Sequence, residues 1–164
     1  MTVTQLQNSP QVGDDAPDFT AASTSGSNVT LSALRGKSNV LLAFFPLAFT
    51  GTCTKEMICF TEDFDRFAGE GVEVLPISVD STASLREFKN KLQMKAELVS
   101  DFKRDISRAY GVLNEDRFYS NRAYFLIDKA GKVRWRHIEA NNSERREDSE
   151  IFAQITKLSS KSSI

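Results

Sequence analysis

Asn39 to Phe45 is an unbroken series dominated by Val, Leu, Ala and Phe, with no polar alternation. A strand that is apolar on both faces belongs inside a parallel or mixed sheet, and this run is the predicted central strand. From Thr52 the period changes. Met57, Phe60, Phe64 and Phe67 recur at spacings of three and four with charges between them, an amphipathic helix that ends at Gly69 and Gly71. Val72 to Val79 reads as a second strand, in which Pro76 argues for an edge position, a bulge or an early end. Ser81 to Leu92 places Leu85, Phe88 and Leu92 on one helical face and Arg86, Lys89 and Lys91 on the other. Leu98 to Ser100 is a short strand, and Ile106 to Tyr110 a short helix closed by Gly111. Ala123 to Asp128 and Lys132 to His137 form a hairpin around Lys129-Ala130-Gly131, and a last helix from about Glu147 to Leu158 presents Ile151, Ile155 and Leu158. Upstream, Ser23 to Asn28 is a loop or hairpin tip before Val29 to Leu31, and Leu31 to Leu34 is one helical turn stopped by Gly36.

Strands joined first by helices and then by a hairpin give a mixed sheet covered by helices, an α/β architecture. Among small α/β folds this order is that of thioredoxin, here with an N-terminal extension or hairpin. The 164 residues, 18.3 kDa, suit one domain. The expected division is a loose polar segment at 1–11, a single domain at 12–158 and a loose Ser-rich tail at 159–164.

Composition narrows the function classes. Forty per cent hydrophobic and 26 per cent charged residues describe a soluble protein, and the apolar run Val40 to Phe49 is about half of what a spanning helix needs. With 21 basic and 22 acidic residues, nothing points to nucleic acid or an anionic membrane as partner. The first Lys or Arg is Arg35, so a secretory or transit start is not expected and a cytoplasmic location is. The glycosylation sequons at Asn28 and Asn141 then read as chance. Two cysteines, Cys53 and Cys59, cannot make a secreted disulfide framework, and the single His137 leaves no metal site rich in His.

Cys53 follows the central strand and begins a helix, where unpaired N–H groups and the helix dipole favour a thiolate. A small buried hydrophobe is the plainer reading of any free cysteine, and position alone leaves both open. The surrounding residues carry more. Phe44-Phe45-Pro46-Leu47-Ala48-Phe49-Thr50-Gly51-Thr52-Cys53-Thr54-Lys55-Glu56 contains Pro-x-x-x-Thr-x-x-Cys with an acid three residues later. It resembles the active-site signature of the peroxiredoxins. Val12 to Phe19 resembles that family's opening, Leu31 to Lys37 the segment before its central strand, and Ala109 to Val112 with Asn121 to Asp128 its later landmarks. The resemblance runs over roughly Val12 to Leu158 and is nearest to the one-cysteine, alkyl hydroperoxide reductase E subgroup.

The resemblance implies a thiol-dependent peroxidase that reduces hydrogen peroxide, organic hydroperoxides or peroxynitrite in antioxidant defence. Cys53 would attack one peroxide oxygen and become a sulfenic acid. Arg122 would hold the thiolate and the peroxide oxygens, and Thr50 would exchange hydrogen bonds with the substrate. Pro46 would shield the sulfur. Glu56 would orient Arg122, or would simply complement the helix dipole. Cys59 lies six residues on, about 9 Å of helical rise, too far for a disulfide and one residue off the family's resolving spacing, which favours a structural thiol. The sulfenic acid would then need an external thiol reductant, either a thioredoxin- or glutaredoxin-type protein or a low-molecular-weight thiol. No cofactor or metal is implied, and a homodimer through the active-site edge is.

Other readings have less support. A redox sensor or chaperone switched by Cys53 oxidation, and thiol–disulfide exchange between Cys53 and Cys59, remain as alternatives. Thioredoxin-type chemistry lacks its Cys-x-x-Cys pair, and Arg122 stands where thioredoxins place a cis-proline. Gly36-Lys37-Ser38 precedes a strand instead of following one and is not a phosphate loop. Glu144 to Asp148 reads as a solvated helix start, and Trp135 as a packed strand residue.

Overall fold

A computed structural model describes residues 8–161. Five strands form a mixed sheet in the order β5 (Val99–Ser100), β4 (Val72–Ser78), β3 (Asn39–Phe44), β8 (Ala123–Ile127) and β9 (Val133–Ile138). The apolar run is β3 (Asn39–Phe44), the middle strand. It pairs in parallel with β4 (Val72–Ser78) and antiparallel with β8 (Ala123–Ile127). β5 (Val99–Ser100) extends β4, and β9 (Val133–Ile138) returns from β8 through the expected turn at Gly131. Before the sheet, β1 (Thr20–Ala22) and β2 (Asn28–Thr30) make the N-terminal hairpin, and Leu31–Leu34 is a single 3-10 turn.

The period of two along β3 and β8 divides the core. Leu41, Ala43, Phe45, Tyr124 and Leu126 face one side. There they meet α1 (Gly51–Glu62), α2 (Phe64–Gly69), α3 (Thr82–Leu92) and α5 (Asp148–Lys161) through Met57, Phe60, Phe67, Phe88 and Ile151. Val40, Leu42, Phe44, Phe125 and Ile127 face the other side, with Leu31 and with Ile106 of α4 (Asp105–Ala109). Arg122 precedes β8 by one residue, so its parity puts it on the α1 side with Tyr124.

Several expectations change on contact with the fold. Pro76 lies in an interior strand, opposite Ala43, and not on a sheet edge. β5 pairs with β4 only from Ile77, so the stretch up to Pro76 has a neighbour on one side alone, and the missing N–H is tolerated there. The single helix expected from Thr52 is two, because Asp63 leaves helical geometry at φ −94°, ψ 7°. A small hairpin, β6 (Leu113–Asn114) with β7 (Tyr119–Ser120), fills a stretch that carried no sequence signal.

Part of the expected loose segment at 1–11 makes contacts with the domain, from Ser9 on. Ser9 is buried, Arg136 Nη1 donates to Pro10 O, and Gly13 N–H donates to Val133 O. Residues 1–7 fall outside the described residues, as do 162–164 of the expected tail, while α5 continues through Lys161. Among the described residues no helix is long and apolar enough to cross a membrane.

Candidate active site

The loop after β3 is fixed before it reaches the cysteine. Ala48 N–H donates to Asp80 Oδ2 at 2.8 Å, from the loop that follows β4. Exposed Phe49 takes a positive φ of 66° and packs its ring on Phe88, centroids 5.0 Å apart. Thr50 is the N-cap residue of α1 in extended geometry. Its hydroxyl donates to Leu47 O at 2.8 Å and caps no helical N–H. The first-turn amides therefore keep their positive end beside Cys53, the third residue of the helix. Pro46 is buried at the end of the strand run.

Cys53 and Arg122 are each 1% exposed, and Arg122 Nη2 donates to Cys53 Sγ at 3.0 Å. The antiparallel register supplies the approach. Ala123 opposes Phe44, so the preceding residue lies past the end of β3, where the cysteine loop begins. Arg122 Nη1 donates to Glu56 Oε1 at 2.8 Å, and Nη2 also reaches Asn142 O at 3.2 Å. Glu56, one helical turn beyond Cys53, is itself 1% exposed. Its other oxygen, Oε2, accepts a short hydrogen bond from the Tyr124 hydroxyl, which in turn accepts from Arg146 N–H at 3.1 Å. Cys53, Arg122 and Glu56 are thus brought together. Thr50 stays at the exposed helix start, and Pro46 is buried four residues before it.

Electrostatics follow the burial. Desolvation works against the Arg122 cation, yet the neighbouring Glu56 carboxylate and Cys53 sulfur hold its pKa above the ordinary guanidinium value. Burial pushes Glu56 up against the pull of Arg122 and Tyr124. Burial also pushes the Tyr124 phenol up, with the Glu56 charge adding to it.

Cys59 is free and half-buried six residues beyond Cys53 on α1, and burial raises its thiol pKa, a direction that disfavours the thiolate. The stretch Glu144 to Asp148 is not the solvated helix start that its charges suggest. Asp148 is 8% exposed, and Arg146 Nε is bound to buried Glu139 at 2.7 Å. Tyr124 and Asn142 were not singled out from the sequence. Their one signal is chemical: a tyrosine inside a core strand must find a partner for its hydroxyl. Among the described residues no group of His, Cys, Asp and Glu is arranged to hold a metal. Two concavities among the described residues do not include Cys53. They are lined by Lys37, Gly71 and Lys95 in one case and by Asn39, Asp128 and Arg134 in another.

Comparison with known proteins places this geometry in a family. Residues 12–136 match the AhpC/TSA family. Alkyl hydroperoxide reductase E of Mycobacterium tuberculosis is 38% identical over 126 residues, 76% of this chain and 82% of that protein. The chloroplastic 2-Cys peroxiredoxin BAS1 of Hordeum vulgare is 37% identical over 81% of this chain and 67% of its own. Reduced 2-Cys peroxiredoxin of Plasmodium vivax superposes with a TM-score of 0.86 at 34% identity, covering 93% of this chain and 99% of that one. The chain belongs to the AhpC/TSA family. Its fold is the thioredoxin-like fold of the peroxiredoxins, and its activity is theirs, a thiol-dependent peroxidase.

Proposed function

We propose that Cys53 is the thiol that attacks the peroxide, in a site closed by its own fold. In the reaction a Cys53 Sγ–O bond forms as the O–O bond breaks. Sulfur is oxidised to a sulfenic acid, the peroxide is reduced, and the departing oxygen takes a proton and leaves as alcohol or water. Peroxynitrite would leave nitrite. The carrying observation is the 3.0 Å contact between Arg122 Nη2 and Cys53 Sγ, both groups buried. A guanidinium in that place supports the thiolate and presents charge to the departing oxygen as negative charge grows there. Thr50 turns its hydroxyl from Leu47 O toward the substrate, and Pro46 shields the sulfur and shapes the loop. Glu56 orients Arg122. The closed surroundings of Cys53 favour small peroxides.

Cys59 serves as a structural thiol. The sulfenic acid is therefore reduced from outside: a reductant thiol forms a mixed disulfide with Cys53 and releases water, and a second thiol resolves the disulfide. The protein acts in the cytoplasm as a homodimer joined at the active-site edge, where Phe49 of the cysteine loop is an exposed apolar group. Stopped-flow mixing of the reduced protein with hydrogen peroxide tests the reading through Trp135, which packs 6.1 Å from Tyr124. A rate orders of magnitude above that of a free cysteine, lost in Cys53→Ser, is expected. A rate equal to that of an ordinary thiol would refute the assignment.

A further inference from the structure

Glu56 is a carboxylate in a place that water does not reach, and its two oxygens are served by different donors. Arg122 takes Oε1 and the Tyr124 hydroxyl takes Oε2. The direction of the second bond is set by a third group. Arg146 N–H points at the Tyr124 oxygen from 3.1 Å and occupies an acceptor position, so the single hydroxyl proton is directed to Glu56.

We propose that Tyr124 is a positioning residue of the peroxidatic site, which by donating to Glu56 Oε2 keeps Glu56 ionised and so fixes the charge and orientation of the guanidinium that holds Cys53. The inference rests on Cys53 being the attacking thiol. The charged groups around Glu56 come from each packed element. Cys53 shares α1, Arg122 and Tyr124 come from the start of β8, Arg145 from the loop before α5, and Asp148 from the first turn of α5. With the thiolate formed, Cys53 and Glu56 place two negative charges on the one Arg122 cation.

Removing the hydroxyl leaves Glu56 Oε2 buried with no donor, a loss that favours the protonated acid because burial already pushes Glu56 in that direction. Once Glu56 is neutral, Arg122 has no counterion except the sulfur. Two consequences follow. The thiolate forms at lower pH, and it reacts more slowly, because thiolate nucleophilicity falls with thiol pKa and because the guanidinium has lost the carboxylate that fixed its plane.

The test uses the full chain in a Cys59→Ser background, so that thiolate absorbance near 240 nm reports Cys53 alone. Tyr124→Phe is expected to lower the midpoint of thiolate formation by about one pH unit and to slow the reaction with hydrogen peroxide by about tenfold. On top of Glu56→Gln it is expected to change neither. An unchanged midpoint, or a shift of the same size with Glu56 already replaced, would overturn the proposal, and a structural loss alone would lower the melting temperature without moving the midpoint.

The wild-type protein gives a second reading that does not depend on how the variant folds. Infrared difference spectra against Glu56→Gln are expected to show Glu56 as carboxylate throughout the range in which Cys53 is a thiolate. A protonated Glu56 band in that range would also overturn the proposal. The thiolate titration needs no peroxide, so it separates a failure of this inference from a failure of the peroxidase assignment, which Cys53→Ser decides.

Discussion

The two ends of the parallel strands make opposite uses of buried space. At the carboxyl end of β3, Cys53, Arg122, Glu56 and Tyr124 fill the volume with polar groups that serve one another, and two open concavities lie elsewhere. Those concavities, about 430 and 640 Å³, lie at the amino end, around Lys37 to Asn39, Gly71 and the β8–β9 turn. There Phe64, Val72 and Val74 meet lysines and glutamates that reach into solvent. Volume alone would place the chemistry at the end opposite the proposed site. Peroxide chemistry asks for a desolvated thiolate and a fixed cation, and a site built for a substrate of a few atoms is filled by its own side chains.

The strongest way to break this contrast is Arg122→Met. It removes the cation and strands Glu56, a buried carboxylate, without its partner. Unpairing a buried ion pair costs about 3–5 kcal/mol. Urea unfolding should show a loss of that order, and stopped flow a fall in peroxide rate of about a hundredfold or more. A variant of wild-type stability would mean that the pair is not desolvated in solution.

A smaller effect comes from a second buried acid near the same end. Burial together with the neighbouring Asp63 carboxyl pushes the pKa of Asp148 up to about 7. Both Asp148 oxygens are buried without a hydrogen-bond partner, which leaves an ionised carboxylate there unsupported. The folded state thus holds a proton that the unfolded chain releases near pH 4. Stability is then greatest below about pH 4 as far as this group is concerned, and it is lost as pH rises toward 7, by roughly 2–4 kcal/mol. Asp148→Asn should flatten that part of the stability profile, measured by thermal unfolding at a series of pH values. An unchanged slope would mean that Asp148 does not hold a proton in the folded state.

At the opposite end the expected effects are modest and leave the rate intact. Gly131 has φ +84°, and a Cβ there would lie 2.6 Å from Arg35 Nε. Gly131→Ala should destabilise by about 1 kcal/mol, with peroxide turnover per folded molecule unchanged. Lys95→Ala, at the rim of the smaller concavity, should change stability by no more than about 0.5 kcal/mol and leave the rate untouched. Altered turnover in either variant would give that end a role in catalysis.

What was legible in the chain follows the same division. The central strand, the helix start at Cys53 and the β8–β9 hairpin announce themselves through local periodicity and turn residues. The likeness of Arg122 and Glu56 to a known signature pointed to their meeting, which no local pattern could do. Tyr124 and Asn142 stayed hidden because their importance lies in partners 68 and 20 residues away, for Glu56 and Arg122 respectively. Asp148 misled because a run of mixed charges looks solvated until packing puts one member beside Asp63. Pro76 misled for a related reason: strand order does not say how far each strand is paired.

The contact between Arg122 and Cys53 spans 69 residues of chain. A ribosome adds Cys53 long before it adds β8, and until β8 pairs with β3 the sulfur has no cation beside it. A nascent or unfolded chain therefore carries only ordinary thiols. With Cys53 as the proposed attacking thiol, sensitivity to oxidants arrives with the antiparallel pairing of β8 to the central strand, which makes reaction with dilute peroxide a chemical clock for the completion of folding.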